Sequence, residues 1–446
     1  IKPYEQRGWK LRFRQRTLLW VAGLSGLVVL FFLVARFLPS SSQEREKGLS
    51  VPTLDKEVEK FFNSYWERPI PLQGLPPANY TEKEASLRPE ACGSCHPRQY
   101  ADWKESLHSR AMGPGPWGQI IDLTQTSPDE ASLCMTCHAP LSEQSTLLAK
   151  TTERNETAYE KNAHFDSQLQ LQGITCAACH VRQHRRFGPP KGEESSAPKY
   201  PAGTPDHAGV QRTPYFEKAE FCKGCHQFDP ENSLLVNGKP LQDTFREWQN
   251  SIWGKGEASC QECHMPQRRH LWKGIHDREW VKGGVRIEAQ IQAESSRPGD
   301  ALELTLEVVN AAVGHKFPTY TTPKIFVRAA LLDGSGKTLP GTEQEKIIGW
   351  DARFEDGKWK EYFDTRIPPG GQLQETFRWK LPPEVKKIRA WVEVHPDHFY
   401  HVHFYPAFLK NQELSSQARK LIEKALQDSG RSAYILFDKI LLLPES

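Results

Sequence analysis

A long apolar run without charge lies near the start of the chain. Residues 18–35 read LLWVAGLSGLVVLFFLVA, and Arg36 can extend the run by snorkelling. A single membrane-spanning helix needs about 20 apolar residues, so the pattern predicts a transmembrane helix over 17–38. A cleaved secretory signal is the alternative, but its apolar region is usually about 7–15 residues long. The length of the run favours a retained anchor.

A helical period follows within the segment 39–90. Leu54, Val58, Phe61, Phe62 and Tyr65 recur at helical spacing and predict a short amphipathic helix. Such an apolar face packs either on a membrane surface or on the body of the protein. The prolines between residues 67 and 90 predict an extended chain, so we interpret 39–90 as a linker that contains one helix.

The period changes to two after residue 284. Apolar residues alternate with polar ones in runs that begin at Val285, Leu302 and Ile388, as expected for half-buried strands. Asp-Gly-Ser-Gly at 333–336 and Pro-Pro-Gly-Gly at 368–371 are typical turns. The pattern predicts an immunoglobulin-like β-sandwich over 283–406. A helix that ends at Gly430 and an apolar tail that packs back onto the body should follow within 407–446.

The charge is distributed unevenly along the chain. The chain has 58 basic and 55 acidic residues, but residues 1–16 alone carry six basic residues against one acidic residue. Under the positive-inside rule, 1–16 should be a cytoplasmic tail and the bulk of the chain should lie outside the cytoplasm. The remaining chain is close to neutral, so nothing indicates a nucleic-acid partner.

The cysteines carry the strongest signal. All ten lie in five Cys-x-x-Cys-His motifs, whose first cysteines are 42, 42, 46 and 38 residues apart. This motif attaches c-type haem: the two thiols bind the haem and the next residue ligates the iron. Zinc and disulfide sites also use Cys-x-x-Cys, but here every pair is followed by His and no cysteine is left over.

The motifs therefore predict five covalently bound haem c groups. The attachment residues are Cys92, Cys95, Cys134, Cys137, Cys176, Cys179, Cys222, Cys225, Cys260 and Cys263, and the proximal ligands are His96, His138, His180, His226 and His264. The motif block spans only 173 residues, so separate pockets are not possible and the haems should pack against one another. We predict a mostly helical or irregular multihaem domain over 91–282.

Eleven further histidines are available as distal ligands, whereas methionine is scarce. Met135 lies inside a motif and Met265 directly follows a proximal histidine, which leaves Met112. The haems should therefore be mostly bis-His, with low potentials. From their positions near the motifs, the distal candidates include His184, His207, His276 and, more weakly, His270.

Three segments resemble the multihaem cytochrome c superfamily that includes hydroxylamine oxidoreductase and octahaem tetrathionate reductase. They are Trp-Lys-Glu-Ser-Leu-His at 103–108, Cys-Gln-Glu-Cys-His-Met-Pro at 260–266 and Gly-His-Lys-Phe-Pro-Thr at 314–319. The resemblance covers about residues 90–330 and implies that His108 and His315 are distal ligands. A second copy at 248–253 has Trp253 in place of the histidine, so it cannot ligate. Nitrite reductase is less similar, because no Cys-x-x-Cys-Lys motif is present.

These observations predict an α+β multidomain protein. It has an N-terminal transmembrane helix, the multihaem domain and a C-terminal immunoglobulin-like β-sandwich with a terminal helix. It should sit in the cytoplasmic (inner) membrane with its haems in the periplasm, and transfer electrons along stacked haems in a quinol-linked or terminal respiratory complex. Integral membrane redox subunits and other cytochromes are the expected partners. No catalytic residue is identified, so the chain is interpreted as an electron-transfer subunit rather than a catalyst.

The alternative is a periplasmic oxidoreductase that acts on a small nitrogen or sulfur compound. It requires one haem without a distal ligand. The basic residues Arg182, Arg185 and Arg186 could then attract an anion to that haem.

Overall fold

The computed structural model describes residues 56–151, 157–191, 209–228, 235–292, 297–355, 358–411 and 413–443. The helices of these residues are α1 (Lys56–Tyr65), α2 (Glu82–Ala85), α3 (Pro89–Gly93), α4 (Pro97–Glu105), α5 (Pro114–Ile120), α6 (Leu123–Thr126), α7 (Pro128–His138), α8 (Ser167–Leu171), α9 (Cys176–His180), α10 (Glu220–His226), α11 (Thr244–Gln249), α12 (Ile252–Lys255), α13 (Cys260–His264), α14 (Arg278–Gly284), α15 (Tyr405–Phe408) and α16 (Ser416–Gly430). Short 3-10 helices cover Ser142–Gln144, Pro214–Glu217 and Pro266–Arg268, and a π-helix covers Phe399–Phe404.

The strands form two-stranded hairpins and small sheets among the helices, and two larger sheets after residue 284. They are β1 (Leu147–Thr151), β2 (Thr157–Lys161), β3 (Val181–Arg182), β4 (Arg185–Gly188), β5 (Val210–Arg212), β6 (Leu235–Val236), β7 (Lys239–Pro240), β8 (Val285–Gln292), β9 (Ala301–Asn310), β10 (Lys324–Leu332), β11 (Gln344–Glu355), β12 (Lys358–Asp364), β13 (Gln372–Lys380), β14 (Lys387–His395) and β15 (Tyr434–Leu442).

The predicted fold class and location need one correction. Each helix in the described ranges is too short or too polar to span a bilayer, so the transmembrane helix in the predicted fold class is wrong by this test. The inner-membrane location rested on that helix and loses its support. The apolar run at 17–38 itself lies outside the described residues.

The motifs lie on short helices, as the sequence predicted. Helices α7, α9, α10 and α13 each end at the histidine of their motif, and the next residue leaves the helical conformation, as at Val181 with φ −127° and ψ 130°. In the first motif, α3 ends at Gly93 and His96 directly precedes α4. Residues three apart on a helical turn share a face, so both thiols of a motif point to one side.

A β-sandwich follows the motif region. One sheet has the strand order β12-β11-β10-β14-β15 and the other has β13-β9-β8. The predicted alternation is confirmed: Leu302, Leu304, Leu306 and Val308 of β9 are at most 1% exposed and form part of the core between the two sheets. The predicted turns are present as well, with Gly336 at φ +86° in the first of them.

The C-terminal segment completes the sandwich. Helix α16 ends at Gly430 as predicted, and the hydroxyl of Ser415 caps its start by accepting a hydrogen bond from the Ala418 N–H. The apolar tail then forms β15, which pairs antiparallel with β14 from Lys387↔Leu442 to Val394↔Tyr434. The tail packs back onto the body as an edge strand.

Contacts between the motif region and neighbouring segments position the haem-binding residues. The buried face of α1 holds Val58, Phe62 and Tyr65, and the Tyr65 hydroxyl donates to the Cys179 carbonyl at 2.8 Å. Helix α1 thus docks on the third motif. A second contact joins the motif region to the sandwich, where Lys239 Nζ of β7 forms a salt bridge with Glu361 Oε2 at 2.8 Å.

Candidate haem-binding site

Three motif histidines each face a second histidine from elsewhere in the chain. The ring centres of His180 and His270 are 6.1 Å apart with an interplanar angle of 36°. Those of His226 and His108 are 6.4 Å apart at 47°, and those of His264 and His315 are 6.3 Å apart at 9°. An imidazole nitrogen binds a metal at about 2 Å and its ring centre lies roughly 1 Å further away, so two imidazoles across one metal have centres about 6 Å apart. The observed spacing fits one iron between each pair.

The hydrogen bonds of the motif histidines also fit iron ligation. Nδ1 lies 2.7 Å from the Ala111 carbonyl in His138, 2.9 Å from the Phe187 carbonyl in His180, and 2.7 Å from the Lys273 carbonyl in His264. A metal-binding histidine typically donates its other ring N–H to such an acceptor. This arrangement leaves Nε2 available for the metal.

The paired histidines are held in the neutral form that binds metals. Burial lowers the pKa of His108 to about 3 and the pKa values of His180, His226 and His315 to about 4. Burial also lowers the pKa of His270. Neutral imidazole is the ligating form, so these side chains need no proton release to bind iron.

Cysteines of different motifs contact one another. The side chain of Cys92 interacts with that of Cys176, and the side chain of Cys222 interacts with that of Cys260. In both contacts the partners are the first cysteines of their motifs, so motifs one and three form one pair and motifs four and five form another. We name them the first and the second module.

A third contact places the second motif next to the second module. The side chains of Cys137 and Cys225 interact with each other, and the Arg68 guanidinium lies 3.8 Å from the Cys137 sulfur. All five motifs therefore have a cysteine in contact with another motif. This matches the expectation that the haems pack together.

The two modules share a local structure. The Trp103 indole donates to the Ile174 carbonyl at 2.7 Å, and the Trp248 indole donates to the Ala258 carbonyl at 2.9 Å. Both acceptors lie two residues before the first cysteine of the motif that closes the module. The sequence indicated a related copy at 248–253, and the structure shows that the copy performs the same packing task.

The equivalence extends to the ligand position. Ile174 N–H donates to the His108 carbonyl at 2.9 Å, and Ala258 N–H donates to the Trp253 carbonyl at 3.1 Å. Trp253 thus occupies the position of His108. In the second module this position carries no ligand. Both motif histidines of that module face imidazoles from elsewhere, His226 facing His108 and His264 facing His315 of the sandwich.

His270 is held by a buried carboxylate that the sequence analysis missed. Asp102 of α4 accepts from the His270 N–H at 3.1 Å and from Arg269 Nε at 2.6 Å. The hydrogen bond from Arg269 holds the pKa of Asp102 below its usual range, although burial opposes this. The position that the sequence ranked as a weaker candidate is therefore well fixed.

Two predicted ligands do not face a motif histidine. His184 is buried with Nε2 at 3.1 Å from the Gly74 carbonyl, and His276 has Nε2 at 3.0 Å from Asp397. Iron ligation at both positions stays a prediction; in His184 the second ring nitrogen, Nδ1, is buried without a hydrogen-bond partner in the described part of the chain. His207 lies outside the described residues.

Two buried donors near the motifs lack acceptors in the described part of the chain. They are the indole nitrogen of Trp66 and Nη2 of Arg182, and the Arg182 guanidinium lies 5.2 Å from the Trp66 ring centre. Haem carries carboxylates that accept such bonds, so the pair fits a haem-containing protein. The other nitrogens of Arg182 bind carbonyls, including that of Tyr65 at 2.9 Å.

The hydrogen bonds from Arg182 to backbone carbonyls argue against the suggestion that a basic loop here attracts anions. Arg186 likewise donates to the carbonyls of Glu84 and His184. Only Arg185 of the three remains largely exposed.

Comparisons with known proteins agree with this site. A family model described as cytochrome c554 and c-prime matches residues 91–181. Cytochrome c-552 of Aliarcobacter butzleri (strain RM4018) is 22% identical over 196 residues, a match that covers 42% of this chain and 36% of that protein. The chain therefore matches only about a third of that relative's length.

A solved structure shares the fold. The penta-heme cytochrome c552 from Thermochromatium tepidum is similar with a TM-score of 0.55 and 16% identity, over 80% of this chain and 99% of that chain. The five motifs, the family match and this fold support a multihaem c-type cytochrome, a class of protein involved in electron transfer.

Proposed function

We propose that this protein is an electron-transfer cytochrome with five covalently bound haem c groups, most of them bis-His. The observation that carries the proposal is the set of three histidine pairs at 6.1–6.4 Å. A buried iron with two imidazole ligands exchanges electrons but offers no position for a substrate. The penta-heme neighbour of the same fold supports the number five.

The chain's own residues set the properties of this site. Haem supplies one-electron redox chemistry when bound. The three histidine pairs would ligate the irons, and the motif cysteines, with Cys92 beside Cys176 and Cys222 beside Cys260, would hold the haems close together. Bis-His ligation keeps potentials low compared with Met/His ligation. Other cytochromes or integral membrane redox subunits of a quinol-linked complex are our proposed partners.

The experiment combines haem counting with spin-state analysis of the purified protein. Pyridine-haemochrome and intact-mass analysis should give five haems per chain. Low-temperature EPR of the ferric protein should show low-spin signals, and the single variants His108→Ala, His270→Ala and His315→Ala should each convert one haem to high spin. A mass lacking one or more haems, or three variants with unchanged spectra, would refute the proposal.

A second candidate function is reduction of a small nitrogen or sulfur compound at the haem of the second motif. Among the residues that the structure describes, no imidazole stands opposite His138 at the spacing of the other pairs. Nearby, Asp397 binds His276 Nε2 through both oxygens, at 3.0 and 3.1 Å, and Tyr400 interacts electrostatically with both Asp397 and Cys134. Rapid binding of one CO per reduced chain, together with a high-spin ferric signal in the unmodified protein, would favour this function over the carrier.

A further inference from the structure

The loop that carries His315 leaves the sandwich between β9 and β10. Its imidazole lies nearly parallel to His264, with an interplanar angle of 9°. A functional side chain must be held within about 0.5 Å of its working position, which a free loop does not achieve. The contacts that fix this loop therefore decide whether His315 can serve as a ligand.

The sandwich supplies part of the restraint. The Asn310 amide donates to the His315 carbonyl at 2.9 Å, and its oxygen accepts from the Val313 N–H at 3.1 Å. The ring nitrogen Nδ1 of His315 lies 2.9 Å from the Lys316 carbonyl. These bonds act on the loop before and at the histidine.

Glu247 supplies the restraint after the histidine, and it comes from the motif region. Its Oε2 accepts from the Lys316 N–H at 3.2 Å and from the Thr319 hydroxyl at 2.8 Å. Its side chain is only 4% exposed. A single carboxylate of α11 thus binds the loop at two points that follow His315.

The charge of Glu247 is compensated within the same contact. Arg366, whose side chain is 2% exposed, lies 3.1 Å from Glu247 Oε1 and donates to the Thr319 carbonyl at 2.6 Å. A buried carboxylate without a partner is strongly disfavoured. Arg366 therefore keeps Glu247 in place and binds the loop directly.

The second module contacts the loop from another side. A Cβ atom added to Gly314 would lie 3.3 Å from Trp248 and 3.6 Å from Trp253. Trp253 occupies the position that carries the ligand in the first module. In the second module it supports the loop that brings a ligand from the sandwich.

We propose that Glu247 is a positioning residue that holds His315 opposite His264 across the boundary between the motif region and the sandwich. This inference rests on the proposed function, because it takes His315 as an iron ligand. Glu247 is not itself a ligand. It acts through the backbone and hydroxyl of the loop.

The test compares Glu247→Ala and Glu247→Gln in the full haem-loaded protein. The alanine variant loses both loop contacts, so the low-spin EPR signal of one haem should be lost and its potential should rise. Glutamine keeps an oxygen for the Lys316 N–H and the Thr319 hydroxyl but turns its amide N–H toward Arg366, so it should restore the low-spin signal in part. Glu303→Gln is the matched control, because Glu303 pairs with Arg378 on the sandwich and should leave the spectrum unchanged.

Two further variants keep the outcome decisive. Thr319→Val removes the hydroxyl that contacts Glu247 and Thr244 without removing a charge, and it should weaken the same signal if the alanine variant fails to fold. If His315→Ala changes the spectrum but Glu247→Ala and Thr319→Val do not, the positioning role is refuted while the ligand stands. If His315→Ala itself has no effect, the proposed ligation of this iron is refuted.

Discussion

The substitution Gly173→Ala should disturb one iron site from a position that contains no ligand. Gly173 has φ +67°, and a Cβ atom there would lie 2.5 Å from the His108 carbonyl oxygen and 3.0 Å from the Ala111 nitrogen. Both neighbours are backbone atoms, so no side-chain rotation relieves the contact. The next residue, Ile174, binds the same His108 carbonyl at 2.9 Å and holds the two segments together.

The expected magnitude has two parts. A left-handed conformation costs a non-glycine residue about 1–2 kcal/mol, and overpacking in a well-packed region costs about 1–3 kcal/mol. The sum predicts a loss of about 2–5 kcal/mol in the free energy of unfolding. Relief of the 2.5 Å contact requires the His108 backbone to move by roughly 1 Å, more than the tolerance of about 0.5 Å for a functional side chain.

The assay is chemical unfolding combined with EPR of the ferric protein. Gly336→Ala is the control, because Gly336 has φ +86° and no atom lies within 4 Å of its added Cβ. The control should lose only the backbone part, about 1–2 kcal/mol, and should keep all low-spin signals. Gly173→Ala should lose more stability and convert one haem to high spin. Equal stability losses and identical spectra for the two variants would refute the reasoning.

Two further outcomes are expected. Burial alone would raise the pKa of Asp364, but hydrogen bonds from Arg366 and Lys239 hold it far below its usual range. The ionised group therefore stabilises the fold above about pH 4, and this contribution is lost as the pH falls below that value. Asp364→Asn should flatten the dependence of Tm on pH between about 2 and 5, and an unchanged acid limb would contradict this. His270→Ala should raise the reduction potential of one haem, because a bis-His site loses a ligand, whereas His276→Ala should leave all potentials unchanged. Redox titration of the two variants measures this difference. A raised potential in His276→Ala and none in His270→Ala would reject the assigned pairing.

The sequence analysis predicted local structure well where one segment determines its own conformation. The alternation of Leu302, Leu304 and Leu306 identified a strand with one buried face, and the structure shows those residues in the core. The motif helices follow from local segments of only five residues each. The transmembrane helix was an inference of the same kind, but no helix of the described residues supports a membrane span.

The sequence analysis did not predict which histidines of distant segments face each other. His270 lies six residues after the fifth motif, yet it faces His180 of the third. The pattern of apolar residues does not indicate that His270 pairs with His180, because the pairing depends on how Asp102 of α4 binds the segment 269–270. Gly173 and Glu247 were missed for the same reason, since their roles depend on contacts with residues far away in the chain.

The arrangement of ligands links stability to potential. The three pairs join segments 90, 118 and 51 residues apart, namely His180 with His270, His108 with His226, and His264 with His315. Closing a loop of that length costs entropy, and a metal that binds only the folded arrangement compensates that cost. Under the proposed function, each iron would act as a cross-link between these distant segments. A variant that loosens a ligand should therefore raise the potential of its haem and lower the stability together, whereas a variant that only strains the backbone far from the motifs, such as Gly336→Ala, should lower the stability alone.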